Sequence, residues 1–143
     1  MHYLDRKWYD ATRPPLARLS RSELMIADYL RGTDPERTVI LHDRPFDPSL
    51  VPVVTKRRVV LAWARYAVGS DDRRRDVDAF FDSAAGDPAT AEAILRRYRV
   101  THVLVRPDRD HIHPDVLARL QQVVSFPDAQ LYRVPEGAES ASP

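Results

Sequence analysis

Three groups of side chains in this 143-residue sequence are of types and spacings that could do chemistry. Lys56-Arg57-Arg58 leads into the apolar run Val59 to Ala62, Trp63, Arg65 and Tyr66 follow it, and Asp43 lies just beyond another apolar run, Thr38-Val39-Ile40-Leu41. If both runs are neighbouring strands of an α/β sheet, an aromatic-cationic cluster stands at their C-terminal edge, where open sheets of this kind bind ligands. That makes Asp43, Arg57, Arg58, Trp63, Arg65 and Tyr66 the candidate ligand- or partner-binding residues. The plainer reading is that Trp63 and Tyr66 complete the core while Arg65 pairs with an acid. The second group, Asp71-Asp72-Arg73-Arg74-Arg75-Asp76, could clamp a phosphate or carboxylate through three guanidiniums. Consecutive helical residues point around the axis, however, so the run reads better as a solvated first turn with its acids at the positive end of the helix dipole. The third group, His111-Ile112-His113 with Asp108 and Asp110, holds ordinary zinc ligands, but nothing sets four of them at a rigid spacing. It reads as a polar loop before Pro114, and no metal is assigned.

Other chemistry is excluded by composition. Only Gly32, Gly69, Gly86 and Gly137 occur, so neither G-x-G-x-x-G nor G-x-x-x-x-G-K-[ST] can be written, and no G-x-S-x-G elbow exists. After Thr38 to Leu41, where a nucleotide-binding fold places its glycine-rich turn, stand His42-Asp43-Arg44-Pro45, whose bulk keeps a pyrophosphate off the backbone. With no cysteine there is no disulfide, thiol nucleophile or cysteine-held zinc. No cofactor and no catalytic residue is named.

The elements that position these groups follow from periodicity. Ser20 with Glu23 matches a capping box, Leu24, Ala27 and Leu30 share a helical face, and Gly32 suits a left-handed helix end. Val77, Phe80, Phe81 and Ala84 mark a second helical face closed by Gly86. Asp87 as N-cap and Pro88 at the first position open a third helix with face Ala91, Ile94, Leu95 and Tyr98. The last helix starts at Pro114 and is expected to turn Val116, Leu117, Leu120, Val123 and Val124 inward. Between these, Val39 to Leu41, Val59 to Leu61 and Val103 to Val105 lack polar alternation, which predicts adjacent parallel strands buried on both faces. Leu131 to Val134 supplies one more strand. Helices between apolar strands, with right-handed crossovers, predict a three-layer Rossmann-like or flavodoxin-like α/β domain, its sheet mainly parallel, helices on both faces, and room for an antiparallel strand at one edge. The expected organisation is a lead-in over 1–19 around Pro14-Pro15, one domain over 20–135, and a polar tail over 136–143.

A net charge of +1, from 22 basic and 21 acidic residues, offers no summed field for a polyanion, so nucleic acid is not an expected partner. Apolar stretches such as Val59 to Ala64 fall far short of the roughly 20 residues of a membrane helix. Asp10, Arg13, Pro14 and Pro15 stand where a signal peptide needs an apolar region. No insertion of this chain into a membrane is expected, and its localisation stays open.

Several segments carry a resemblance. Thr55 to Trp63 with the following Tyr66, Arg75-Asp76-Val77, Ile94 to Val105, and Leu131 to Val134 together resemble the soluble C-terminal region of bacterial polytopic membrane proteins of the GT-C glycosyltransferase-like family, which use lipid-linked sugars. The resemblance spans about Ser20 to Val134. It departs from the family at Lys56 and Ala62, where glycine is usual. That family's catalytic carboxylates sit in loops between membrane helices, and this chain has none, so the resemblance implies an accessory domain with a membrane-protein partner or parent. A free-standing domain binding a small ligand at the edge around Asp43, Arg57, Arg65 and Tyr66 is the second reading. A small hydrolase or transferase comes last, because no nucleophile and base can be paired.

Overall fold

The computed structural model describes residues 20–43, 55–60 and 70–136. Among them, in chain order, run α1 (Arg21–Arg31), β1 (Val39–His42), β2 (Arg58–Val59), α2 (Ser70–Phe81), α3 (Pro88–Arg97), β3 (His102–Val105), α4 (Pro114–Arg119), β4 (Gln121–Ser125) and β5 (Gln130–Arg133). The strands form one sheet in the order β2-β1-β3-β5-β4. β1 is parallel to both β2 and β3, while β5 runs antiparallel to β3 and to β4. The expected Rossmann-like architecture is present, with its antiparallel part at one side.

Alternate strand residues face opposite layers. Ile40, Leu104 and Leu131 pack with Ile26 and Leu30 of α1. Leu41, Val103 and Val105 pack on the other side with Val77 and Phe80 of α2, Ile94 and Leu95 of α3, and Val116 of α4. β3 is buried throughout, which is why its sequence shows no polar alternation. β2 differs: Arg58 is exposed and Val59 half-buried, so this described part of the run is not buried on both faces. Leu61 lies outside the described residues.

The helix starts are those the caps dictate. Ser20 Oγ accepts from Glu23 N–H at 3.2 Å, Asp87 Oδ1 accepts from Ala89 N–H at 2.9 Å with Pro88 next in line, and His113 Nδ1 accepts from Asp115 N–H at 3.1 Å ahead of α4. Ends are less legible. Gly32 has φ −83°, not a left-handed value, because Thr33 closes α1 instead: its Oγ1 donates to the Leu30 carbonyl at 2.5 Å. Positive φ is found at Lys56 (54°) and Arg99 (52°). α2 stops at Phe81, leaving Ala84 exposed; Phe81 O accepts from His111 N–H at 2.8 Å.

The final helix is shorter than its pattern predicts. Leu120 is already extended (φ −89°, ψ 152°), and Gln121–Ser125 is a strand. A register shift between Gln122 and Val124 lets the consecutive Val123 and Val124 both pack against the α1-side core. A bulged strand thereby mimics the adjacent apolar pair of a helical face.

Candidate functional site

The parallel strands set two edges with different chemistry. At the C-terminal edge, Asp43 follows β1, whose His42 is paired with Leu104 of β3, so the loop after β3 emerges beside it. That loop is closed on itself: Arg106 N–H donates to Asp110 Oδ2 at 2.7 Å, and Asp110 N–H to Arg106 O at 2.9 Å. Asp110 is only 8% exposed. Burial, and then a hydrogen bond to the Asp43 carboxyl, push its own carboxyl up to about 8, against the pull of the Arg106 N–H and guanidinium. Asp110 therefore holds its proton near neutral pH and can give a hydrogen bond where an ordinary aspartate only accepts one. The Arg106 guanidinium reaches Glu23 of α1 at 3.5 Å, tying this loop to the start of that helix. Trp63, Arg65 and Tyr66, the candidates expected at this edge, lie outside the described residues.

Arg57 and Arg58 are at the other end. Val39 pairs with Arg58, so both arginines stand where the parallel strands begin, one strand length from Asp43, and the fold does not bring them to it. Arg57 serves α1: its Nη2 donates to the carbonyls of Arg31 (2.5 Å) and Thr33 (2.6 Å), its Nε to Thr33 Oγ1 (3.2 Å), and its Nη1 to Lys56 O (3.0 Å). A cation bonded to the last carbonyls of a helix satisfies orphan acceptors at the negative end of its dipole. Arg58 faces instead an open groove of about 480 Å³ shared with Val39, Arg73, Tyr98 and Arg99.

The acidic-basic run at the start of α2 does not converge on anything. Arg75 pairs with Asp72 (3.8 Å), and Asp76 Oδ2 accepts from Arg97 Nη1 (2.7 Å) and from Tyr98 OH (2.5 Å). Burial and then the Asp76 bond raise the Tyr98 phenol above its ordinary value. Arg73 alone of the three arginines reaches the groove. His113 serves as a helix cap and takes its own N–H to Ser83 Oγ at 3.0 Å, while His111 is exposed on a bridge to Asp82. Among the described residues no cluster of three metal-ligating side chains forms.

Two other features complete the chemistry. His102 is buried in β3, its Nδ1 2.9 Å from Thr101 Oγ1 and its ring edge-on to Tyr29; burial, then the Arg133 charge, pull it down to about 4, so it is neutral. Between α3 and α4 a small cleft of about 100 Å³ is floored by Leu95, Val100, Val116 and Leu120, with Arg119 ion-paired to Glu92 beside it. Sequence reasoning missed the Asp43–Asp110 pair, because nothing local marks Asp110 as buried, and it missed Arg99, whose positive φ has no sequence signal.

No protein-family model and no curated protein matches the chain. Among solved structures it is similar to the C-terminal globular domain of an oligosaccharyltransferase from Archaeoglobus fulgidus, with a TM-score of 0.59 at 10% identity, covering 82% of this chain and 99% of that one. At that identity the likeness is one of fold.

Proposed function

We propose that this chain is a non-catalytic accessory or interaction domain related to the extramembrane end of a GT-C-like membrane glycosyltransferase. The observation that carries the reading is that its fold is similar, over 82% of this chain and 99% of the other, to the C-terminal globular domain of an oligosaccharyltransferase. The segments from Thr55 to Val134 resemble the same class of protein. Among the described residues no helix is long and apolar enough to cross a membrane, so a membrane partner or parent would supply that part. Arg, Trp and Tyr dominate binding hot spots, which makes Trp63, Arg65 and Tyr66 the proposed contact.

The test is co-purification in detergent with the polytopic protein encoded in frame with this chain or next to it. Retention that drops at least tenfold on joint Trp63→Ala, Arg65→Ala and Tyr66→Ala replacement, while the isolated variant keeps its melting temperature, supports the reading. A genomic neighbourhood with no polytopic protein, or no retention of the unaltered chain, overturns it. A second reading, a domain binding a small ligand at the C-terminal edge, is favoured by the buried Asp110 carboxyl, whose pKa is raised by burial and by Asp43. A ligand found by thermal-shift screening whose effect disappears in Asp110→Asn would select it.

A further inference from the structure

The described chain is nearly neutral overall, yet one concavity collects guanidiniums of a single sign. Arg58 from the start of β2, Arg73 from the first turn of α2 and Arg99 from the turn after α3 line the same groove of about 480 Å³, and among the described residues no carboxylate lines it. Two acids of α2 are engaged elsewhere, Asp72 by Arg75 and Asp76 by Arg97 and Tyr98. Among the described residues, Arg58, Arg73 and Arg99 have no carboxylate partner, and Arg57, bonded to the end of α1, adds a fourth positive charge beside them. Three different elements thus deliver cations to one place, which a merely solvated helical turn does not do.

Arg99 is also held at a cost. Its φ of 52° is a left-handed conformation that disfavours any side chain with a Cβ and that glycine adopts freely. The conformation belongs to the turn that ends α3, where Arg99 N–H donates to Arg96 O (3.1 Å) and Val100 N–H reaches back to Leu95 O (2.9 Å). Glycine would suit that turn better, yet arginine stands there and lines the groove. The volume lies within the range of small-molecule sites, and the flanking Val39, Val59 and Tyr98 give the groove an apolar wall against which an organic group could rest.

From this geometry we propose that the groove at the N-terminal edge of the sheet binds a phosphate ester, gripped by Arg58, Arg73 and Arg99. Guanidiniums suit phosphate oxygens through paired, charge-assisted hydrogen bonds, and an anion here meets no competing acid among the described lining residues. The ester is either a soluble molecule or the headgroup of an anionic lipid, the phosphate chemistry being shared. The site lies at the opposite edge from Asp43, so it stands or falls independently of the accessory-domain reading.

The experiment titrates the full chain with inorganic pyrophosphate calorimetrically at about 0.15 M salt, an ionic strength that screens diffuse attraction. In parallel, the chain is floated with vesicles of phosphatidylcholine, with or without phosphatidylglycerol. The expected result is saturable binding to at least one probe, weakened about tenfold or more by Arg73→Gln and by Arg99→Gln. Arg109→Gln, which removes an exposed arginine at the other edge, should leave it unchanged. Arg99→Gly separates binding from folding, since it should raise the melting temperature by a few degrees while losing affinity. Pyrophosphate binding without vesicle retention assigns a soluble ester, and retention that requires phosphatidylglycerol assigns the lipid headgroup. Neither probe binding, or an equal loss in Arg109→Gln, overturns the proposal.

Discussion

Asp110 is almost fully buried, and burial together with Asp43 favours its protonated form over the opposing pull of Arg106. Between the ordinary aspartate value of 3.8 and about 8, the folded chain binds one more proton at this residue than the unfolded chain does. Stability contributed by Asp110 is therefore greatest at the acid end of that window and is lost as pH rises through it. Asp110→Asn keeps the hydrogen-bonding shape without the ionisation, so the variant should be more stable than the parent at pH 8 and show a flatter profile between pH 5 and 8. Urea denaturation across that range measures it, and a parallel profile in parent and variant would contradict the assignment. Arg57 makes the opposite kind of contribution, because its charge is used and not hidden. Removing it by Arg57→Ala leaves the Arg31 and Thr33 carbonyls without their donor. The expected loss is about 1.5–3 kcal/mol, the usual worth of hydrogen bonds to a charged group, with only partial recovery in Arg57→Lys, which cannot reproduce the fork.

The elements owe their places to the two apolar layers against the sheet. Phe80 is wholly buried where α2 meets the sheet and packs edge-on against Phe81, with ring centroids 5.1 Å apart. Phe80→Ala should cost about 3–5 kcal/mol and Leu95→Ala about 2–5 kcal/mol, since each leaves a cavity that rigid neighbours cannot fill. Chemical denaturation reads both, and a loss under about half a kcal/mol in either would mean its helix face is misplaced. The faces of α2 and α3 were legible because their apolar residues recur with the helical period, and the start of α3 because its Asp87 cap is local. β4 was not, because Val116, Leu117, Leu120, Val123 and Val124 satisfy that period as well. The decision fell to pairing: extended Gln121–Ser125 finds partners along β5, from Gln121 opposite Arg133 to Ser125 opposite Gln130. A one-residue change of register, invisible locally, makes the valine pair fit a strand.

At the scale of the whole molecule, two buried titratable groups oppose each other. His102 is held neutral with its value pulled to about 4, so between there and 6.5 the unfolded chain binds the extra proton and His102 destabilises the fold as pH falls. Asp110 acts in the reverse sense across the same interval, and the two slopes largely cancel. Above pH 6.5 the His102 contribution is constant and only that of Asp110 remains. Stability should therefore be highest on the acid side of pH 7 and decline toward pH 8. A thermal-unfolding series that rises steadily from pH 6.5 to 8 would refute this. Both core layers share β1, β3 and β5, so unfolding should also be a single transition by fluorescence and by circular dichroism.

The sequence by itself determined the properties that are local or periodic. Ser20, Asp87 and Pro88 mark helix starts, Val77 to Phe81 and Ala91 to Leu95 mark inward faces, and unbroken apolar runs at Val39 to Leu41 and Val103 to Val105 mark strands without a wet side. From these follows the layered α/β architecture, since such strands need cover on both faces. The tertiary structure alone decided which charged groups meet. Arg57 and Asp43 look like members of one cluster when the chain is read along its length. Parallel pairing sends strand starts and strand ends to opposite edges, and so separates them. The same pairing joins Asp43 to Asp110, 67 positions away, and gathers Arg58, Arg73 and Arg99 from three elements into one groove. Burial and electrostatic neighbourhood depend on residues distant in sequence, and no local pattern encodes them.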